Sequence, residues 1–128
     1  MIGTPQLLIS DDDRDFRETL GAVFDRYDFA TNFASNGEEA VRIVREKSIH
    51  VVLIDLHMPK LSGIEAIRQI KDLRHSMPCI LISAALDDMH TAQLKDAFAT
   101  LRKPCSREEV IQAVFDALTA RYGWSADE

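Results

Sequence analysis

Five side chains in this sequence could act together on a phosphoryl group: Asp11, Asp12, Asp55, Ser83 and Lys103. Each follows directly on a short apolar run or ends one. Leu7-Leu8-Ile9 precedes Asp11-Asp12, Val51-Val52-Leu53-Ile54 precedes Asp55, Cys79 to Ile82 precedes Ser83, and Ala99 to Arg102 precedes Lys103. Three converging carboxylates without a cation would repel and push one another's pKa up. A hard divalent cation relieves that repulsion, and Mg²⁺ favours octahedral oxygen ligation by one or two carboxylates, waters and phosphate oxygens. A carboxylate can also attack a phosphoryl group to give an aspartyl phosphate. The charge on the transferring group then needs the metal and a cationic side chain, and a hydroxyl can hold one further oxygen.

These groups converge only if the apolar runs are strands of one sheet. Val51 to Ile54 is β-branched, continuous and bounded by polar residues, as a strand buried on both faces should be. Between the runs the apolar period is helical: Phe16, Leu20, Val23, Phe24 and Tyr27; then Ala40, Val41 and Val44; then Ile64, Ile67 and Ile70; then Val110, Val114 and Leu118. A further strand is expected over 30–34, with Asn36-Gly37 as a turn. Ser62 with Glu65 and Ser106 with Glu109 have capping-box spacing, and 89–98 reads as a short helix. Five strands alternating with five helices predict an α/β fold: a doubly wound, five-stranded parallel sheet with helices on both faces. In such sheets chemistry gathers at the carboxyl ends of the strands, where all five side chains stand.

Together the stretches Leu8-Ile9-Ser10-Asp11-Asp12, Asp55-Leu56-His57-Met58-Pro59 with Gly63, Ser83-Ala84 and Lys103-Pro104 resemble the receiver domain of two-component response regulators, which is CheY-like and flavodoxin-like in fold. The resemblance implies that Asp55 is the phosphoacceptor, receiving its phosphoryl group from a sensor histidine kinase or phosphotransfer protein. It implies that Asp12 ligates Mg²⁺ directly, that Asp11 acts mainly through water, and that His57 gives its backbone carbonyl. Ser83 matches the hydroxyl that bonds the phosphoryl group, and Lys103 the lysine that pairs with it. A cis Lys103–Pro104 bond belongs to the same pattern. Two positions depart from it: Thr100 stands where an aromatic residue is usual, and Cys105 follows Lys-Pro where Phe is common.

The chain has 128 residues, 46% of them hydrophobic and 28% charged, with a net charge of −6. That size suits one domain, here 1–121, with 122–128 as a tail or the start of a linker. The acidic balance argues against direct nucleic-acid binding. No apolar run approaches the roughly 18 residues of a membrane span, and no basic region precedes an apolar stretch near the first residues, so a cytoplasmic location is expected. Cys79 and Cys105 read as reduced cysteines, Cys79 in the core, and His50, His75 and His90 as solvent-facing. Three rival readings meet the same residues. An aspartyl-nucleophile phosphatase needs a second acid two residues after Asp55, where His57 stands. A flavodoxin-like cofactor module needs a Ser/Thr/Gly-rich loop where Asp11, Asp12 and Asp13 stand. The complete acidic site argues against a receiver-like interaction module without phosphorylation, while Thr100 in place of the usual aromatic residue keeps that reading open.

Overall fold

A computed structural model describes residues 2–84 and 95–126. Strands β1 (Gln6–Ser10), β2 (Ala30–Ala34), β3 (Val51–Asp55), β4 (Cys79–Ser83) and β5 (Ala99–Arg102) form one sheet in the order β2-β1-β3-β4-β5, every pair parallel. Helices α1 (Arg14–Asp25), α2 (Gly37–Glu46), α3 (Gly63–Leu73) and α4 (Arg107–Tyr122) complete the described elements. The doubly wound parallel sheet is therefore as expected, with four helices among the described residues. Of the short helix expected over 89–98, residues 89–94 lie outside the described part, and 95–98 are turn and irregular backbone.

Side-chain alternation along the central strands splits the core. Leu8, Val52, Ile54 and Leu81 pack with α2 and α3 on one face. Leu7, Ile9, Val51, Leu53, Ile80 and Ile82 pack with α1 and α4 on the other. Strands β3 and β4 are buried at every residue, which explains why they read as unbroken apolar runs. No helix among the described residues is long and apolar enough to cross a membrane.

Local chemistry accounts for the helix ends. Asp13 caps α1, its side chain accepting from the amides of Asp15 and Phe16. Ser106 and Glu109 close a reciprocal capping box on α4. At α3 only half of that motif forms: Ser62 accepts from the Glu65 amide, while the Glu65 carboxylate reaches Arg68 at 3.0 Å. Asn36-Gly37 is not a free turn. Asn36 caps α2 by accepting from the Glu39 amide, and Gly37 is the first helical residue, because an Asn side chain satisfies an orphan amide at a helix start. Tyr27 also leaves the α1 stripe. The helix ends at Asp25, and Asp28 turns the chain with φ 62°, a conformation that Asp tolerates. The Tyr27 ring instead meets Phe115 edge-on, with centroids 5.2 Å apart.

Candidate functional site

In this strand order the chain winds outward from the middle in both directions, so the crevice opens at the carboxyl ends of β1 and β3. Ser10 pairs with Ile54, which places Asp11 level with Asp55 one residue on. The Asp11 amide continues the β1–β2 ladder by donating to the Ala34 carbonyl at 3.0 Å. Asp11, Asp12 and Asp55 consequently bring carboxylate oxygens within 4.8 Å of one another. Asp11 and Asp55 are buried, and Asp12 is exposed.

Lys103 enters from the far side. Its amide donates to the Ser83 carbonyl at 3.0 Å, extending β5 along β4, and the following bond to Pro104 is cis. Its Nζ lies 2.7 Å from Asp11 Oδ2 and 3.8 Å from Asp55 Oδ2. Ser83, the last residue of β4, is buried beside the Asp55–Ile82 pair. His57 is exposed two residues after Asp55. The five side chains singled out by type and spacing thus stand at one end of one sheet, and four of them are joined by short carboxylate and ammonium distances. Thr100 is exposed on the edge strand β5.

Burial pushes the Asp55 carboxyl above its usual range. The charges of Asp11 and Asp12 add to the rise, while Lys103 and the Leu56 amide oppose it. For Lys103 burial works downward, but the hydrogen bond to Asp11 and the charge of Asp55 outweigh it, so its pKa is raised. Three ionised carboxylates against one ammonium leave a local charge of −2. Oxygen donors, a double negative charge and one solvent-facing carboxylate match a hard divalent cation that keeps part of its water shell.

Several supporting contacts escaped the sequence reading. Phe16, read as core, lies with its ring centroid 4.3 Å from Lys103 Nζ, a cation–π contact that holds the ammonium over the acidic cluster. Arg17 donates from Nη1 to the Asp11 carbonyl at 2.6 Å. Ser10 donates to Met58 Sδ at 3.2 Å, tying the loop after β3 to β1. Gly63 sits so close to Asp55 that an added Cβ would collide with the Asp55 carbonyl oxygen, and its amide donates to Leu56 at 2.8 Å. Only Gly63 carried a signal, through its spacing from Asp55. The Phe16–Lys103 and Ser10–Met58 contacts cross the fold, while Arg17 reaches back six residues to Asp11 without a pattern that marks it.

Residues 7–115 match the family model of the response regulator receiver domain. The sequence is 30% identical over 118 residues to response regulator RR06 of Streptococcus pneumoniae, spanning 91% of this chain and 54% of that protein. It is 32% identical over 111 residues to the transcriptional regulatory protein ResD of Bacillus subtilis, spanning 85% of this chain and 46% of that protein. The chain therefore covers about half the length of these relatives. Among solved structures, a response regulator receiver domain protein from Clostridium thermocellum superposes with a TM-score of 0.82 at 30% identity, covering 91% of this chain and 95% of that one. The response regulator TrrA from Thermotoga maritima, solved in complex with Mg(2+)-BeF, shares the fold with a TM-score of 0.84 at 24% identity, covering 90% of this chain and all of that one, 100%.

Proposed function

The chain belongs to the response regulator receiver domain family, and on that premise we propose that residues 1–121 accept a phosphoryl group on Asp55 and convert it into a change at a partner or output surface. The donor is a histidine kinase or phosphotransfer protein in the cytoplasm. A carboxylate oxygen of Asp55 forms the new O–P bond as the bond to the donor's histidine nitrogen breaks, and the electron pair leaves with that nitrogen. The chain is a stoichiometric acceptor in this reading, not a turnover catalyst.

The observation that carries the proposal is the convergence of three carboxylates within 4.8 Å, with Lys103 Nζ at 2.7 Å from Asp11 and 3.8 Å from Asp55. Mg²⁺, when bound, supplies charge neutralisation between Asp55 and the incoming phosphoryl oxygens. Asp12 is the direct ligand: it is exposed and has no hydrogen-bond partner among the described residues. Asp11 acts through water, since its oxygens already accept from Lys103 and, at 2.9 Å, from the Asp13 amide. His57 contributes its backbone carbonyl, and Ser83 its hydroxyl to a phosphoryl oxygen. Lys103, held by Asp11 and Phe16, pairs with another phosphoryl oxygen.

A small phosphodonor should label the protein only with Mg²⁺ present, and Asp55→Asn should abolish labelling. Asp12→Ala should weaken Mg²⁺ binding more than Asp13→Ala, because Asp13 is committed to its helix cap. Label recovered on another residue, or equal labelling in excess chelator, would sink the proposal. Sustained release of phosphate from a phosphomonoester would replace it with the phosphatase reading.

A further inference from the structure

A cleft of about 380 Å³ lies at the opposite pole, where the chain enters β3 and β4 and where α4 ends. His50, Arg74, His75, Ser76, Arg121 and Tyr122 contribute to its lining, and among the described residues no carboxylate does. The chain has 21 acidic and 15 basic residues, yet two arginines and two histidines line one cleft with no carboxylate among its described lining residues. Five-residue strands at about 3.3 Å per residue put this cleft roughly 15 Å or more from the carboxylate cluster. That exceeds the screening length of about 8 Å at physiological salt, so the two fields are separate.

The polar groups are arranged as donors. Arg74 straps neutral backbone, donating to the Lys47 carbonyl at 2.8 Å and the Ile49 carbonyl at 3.4 Å, so its positive charge is not cancelled. Arg121 spends Nε on the Ser76 carbonyl at 3.2 Å, its guanidinium carbon lies 5.2 Å from the Tyr122 ring centroid, and its two terminal nitrogens have no hydrogen-bond partner among the described residues. His50 Nδ1 accepts from the Gln6 amide at 2.9 Å. The proton of the neutral ring must therefore sit on Nε2, which makes that atom a donor. Tyr122 fixes this wall, its hydroxyl donating to the His50 carbonyl at 2.7 Å.

Cations at the ends of α3 and α4 suit the helix dipoles. That effect explains an arginine at each end. It does not explain why both arginines share one cleft with a histidine donor while no carboxylate of the described residues lines it. We infer that this cleft binds a phosphate group, free or as a monoester, seated on Arg121 and Arg74 with His50 Nε2 and the Ser76 hydroxyl donating to it. Two permanently charged guanidiniums match a dianion better than a single carboxylate, and the planar fork of Arg121 fits two phosphate oxygens. The inference is independent of the phosphoacceptor reading.

The test is titration of the metal-free protein with inorganic phosphate, phenyl phosphate and acetate, followed by amide and imidazole NMR shifts. Phosphate should give saturable shifts at residues 48–50, 74–77 and 121–122, with acetate binding at least roughly tenfold more weakly. Tighter binding of phenyl phosphate identifies a monoester as the ligand, and equal binding identifies free phosphate. Arg121→Gln should weaken phosphate roughly tenfold and leave Asp55 labelling unchanged. Ser76→Ala, which keeps the carbonyl that Arg121 uses, should show a smaller loss in the same direction. Shifts confined to Asp11, Asp12 and Asp55, equal affinity for acetate, or unchanged affinity in both variants would overturn the inference.

Discussion

At the carboxyl ends of the strands Asp11 and Asp55 are buried and share one ammonium, that of Lys103. At the amino ends Arg74 and Arg121 lie against neutral carbonyls, and among the described residues no carboxylate lines their cleft. The first pole concentrates unbalanced negative charge in a desolvated place, which is costly without a cation. The second leaves positive charge half in water, where it costs little. A parallel sheet makes this division possible because it sends every strand's carboxyl end to one side. Groups far apart in sequence then share a pole, and the two poles can carry opposite charge.

The largest expected effect separates the two poles by their glycines. Gly63→Ala drives a Cβ into the Asp55 carbonyl and should cost about 1–3 kcal/mol, lowering the urea midpoint and Asp55 labelling together. Gly123, the left-handed cap of α4 with φ 68°, has open space around it. Gly123→Ala should cost only about 1 kcal/mol, through backbone conformation alone, with labelling intact. Equal costs would show that the acidic pole is no more tightly constrained than the other.

Comparable in size is the effect of the single ammonium. Lys103→Met keeps most of the side-chain stem but leaves buried Asp11 without its charge partner. The metal-free protein should lose roughly 1–3 kcal/mol at pH 7. Mg²⁺ should then bind more tightly than to the parent, because the local charge becomes −3. Calorimetry showing weaker Mg²⁺ binding would contradict the charge balance drawn for this pole.

The smallest effect is a pair of opposed pH responses. Asp55 has a raised pKa, so its ionisation costs stability as pH rises through the folded value, and that cost vanishes below the unfolded value near 3.8. Asp55→Asn should therefore be more stable than the metal-free parent at neutral pH, with a gap that closes on acidification. His50 has a pKa lowered from 6.5 by burial and by Arg74. The unfolded chain takes up that proton first, so its contribution to stability is lost as pH falls below about 6.5 through the folded value. Thermal melts of parent and Asp55→Asn between pH 4 and 8 separate the two. A parent at least as stable as Asp55→Asn at neutral pH would refute the burial argument for Asp55.

Much of the acidic pole was legible in the sequence because strand-end chemistry is local. Asp11-Asp12, Asp55, Ser83 and Lys103 each follow directly from a β-branched or apolar run, and their order matches the winding of the sheet. The amino pole was not legible. His50, expected in solvent, is half-buried with its ring edge-on to Tyr122 and an amide from Gln6 on Nδ1. Its partners lie 44 and 72 residues away, a separation that no local pattern encodes. Cys79 behaved as expected: it is fully buried, and burial pushes its thiol up to about 12.

Periodicity, turn chemistry and strand-end residues determined the parallel sheet, the helix stripes and the identity of the acidic cluster, since each depends on neighbours within a few residues. Tertiary packing decided what those patterns became. Ser62 with Glu65 and Ser106 with Glu109 have the same spacing, yet only the second closes into a reciprocal box, because Arg68 takes the Glu65 carboxylate. Phe16 fits the core stripe of α1, but the approach of β5 placed Lys103 over its ring. The cationic cleft exists only where α3, α4 and the entries to β3 and β4 meet. Short-range geometry is written in the order of residues, whereas the charge and hydrogen-bond partners of a side chain depend on which distant segments the folded sheet brings beside it.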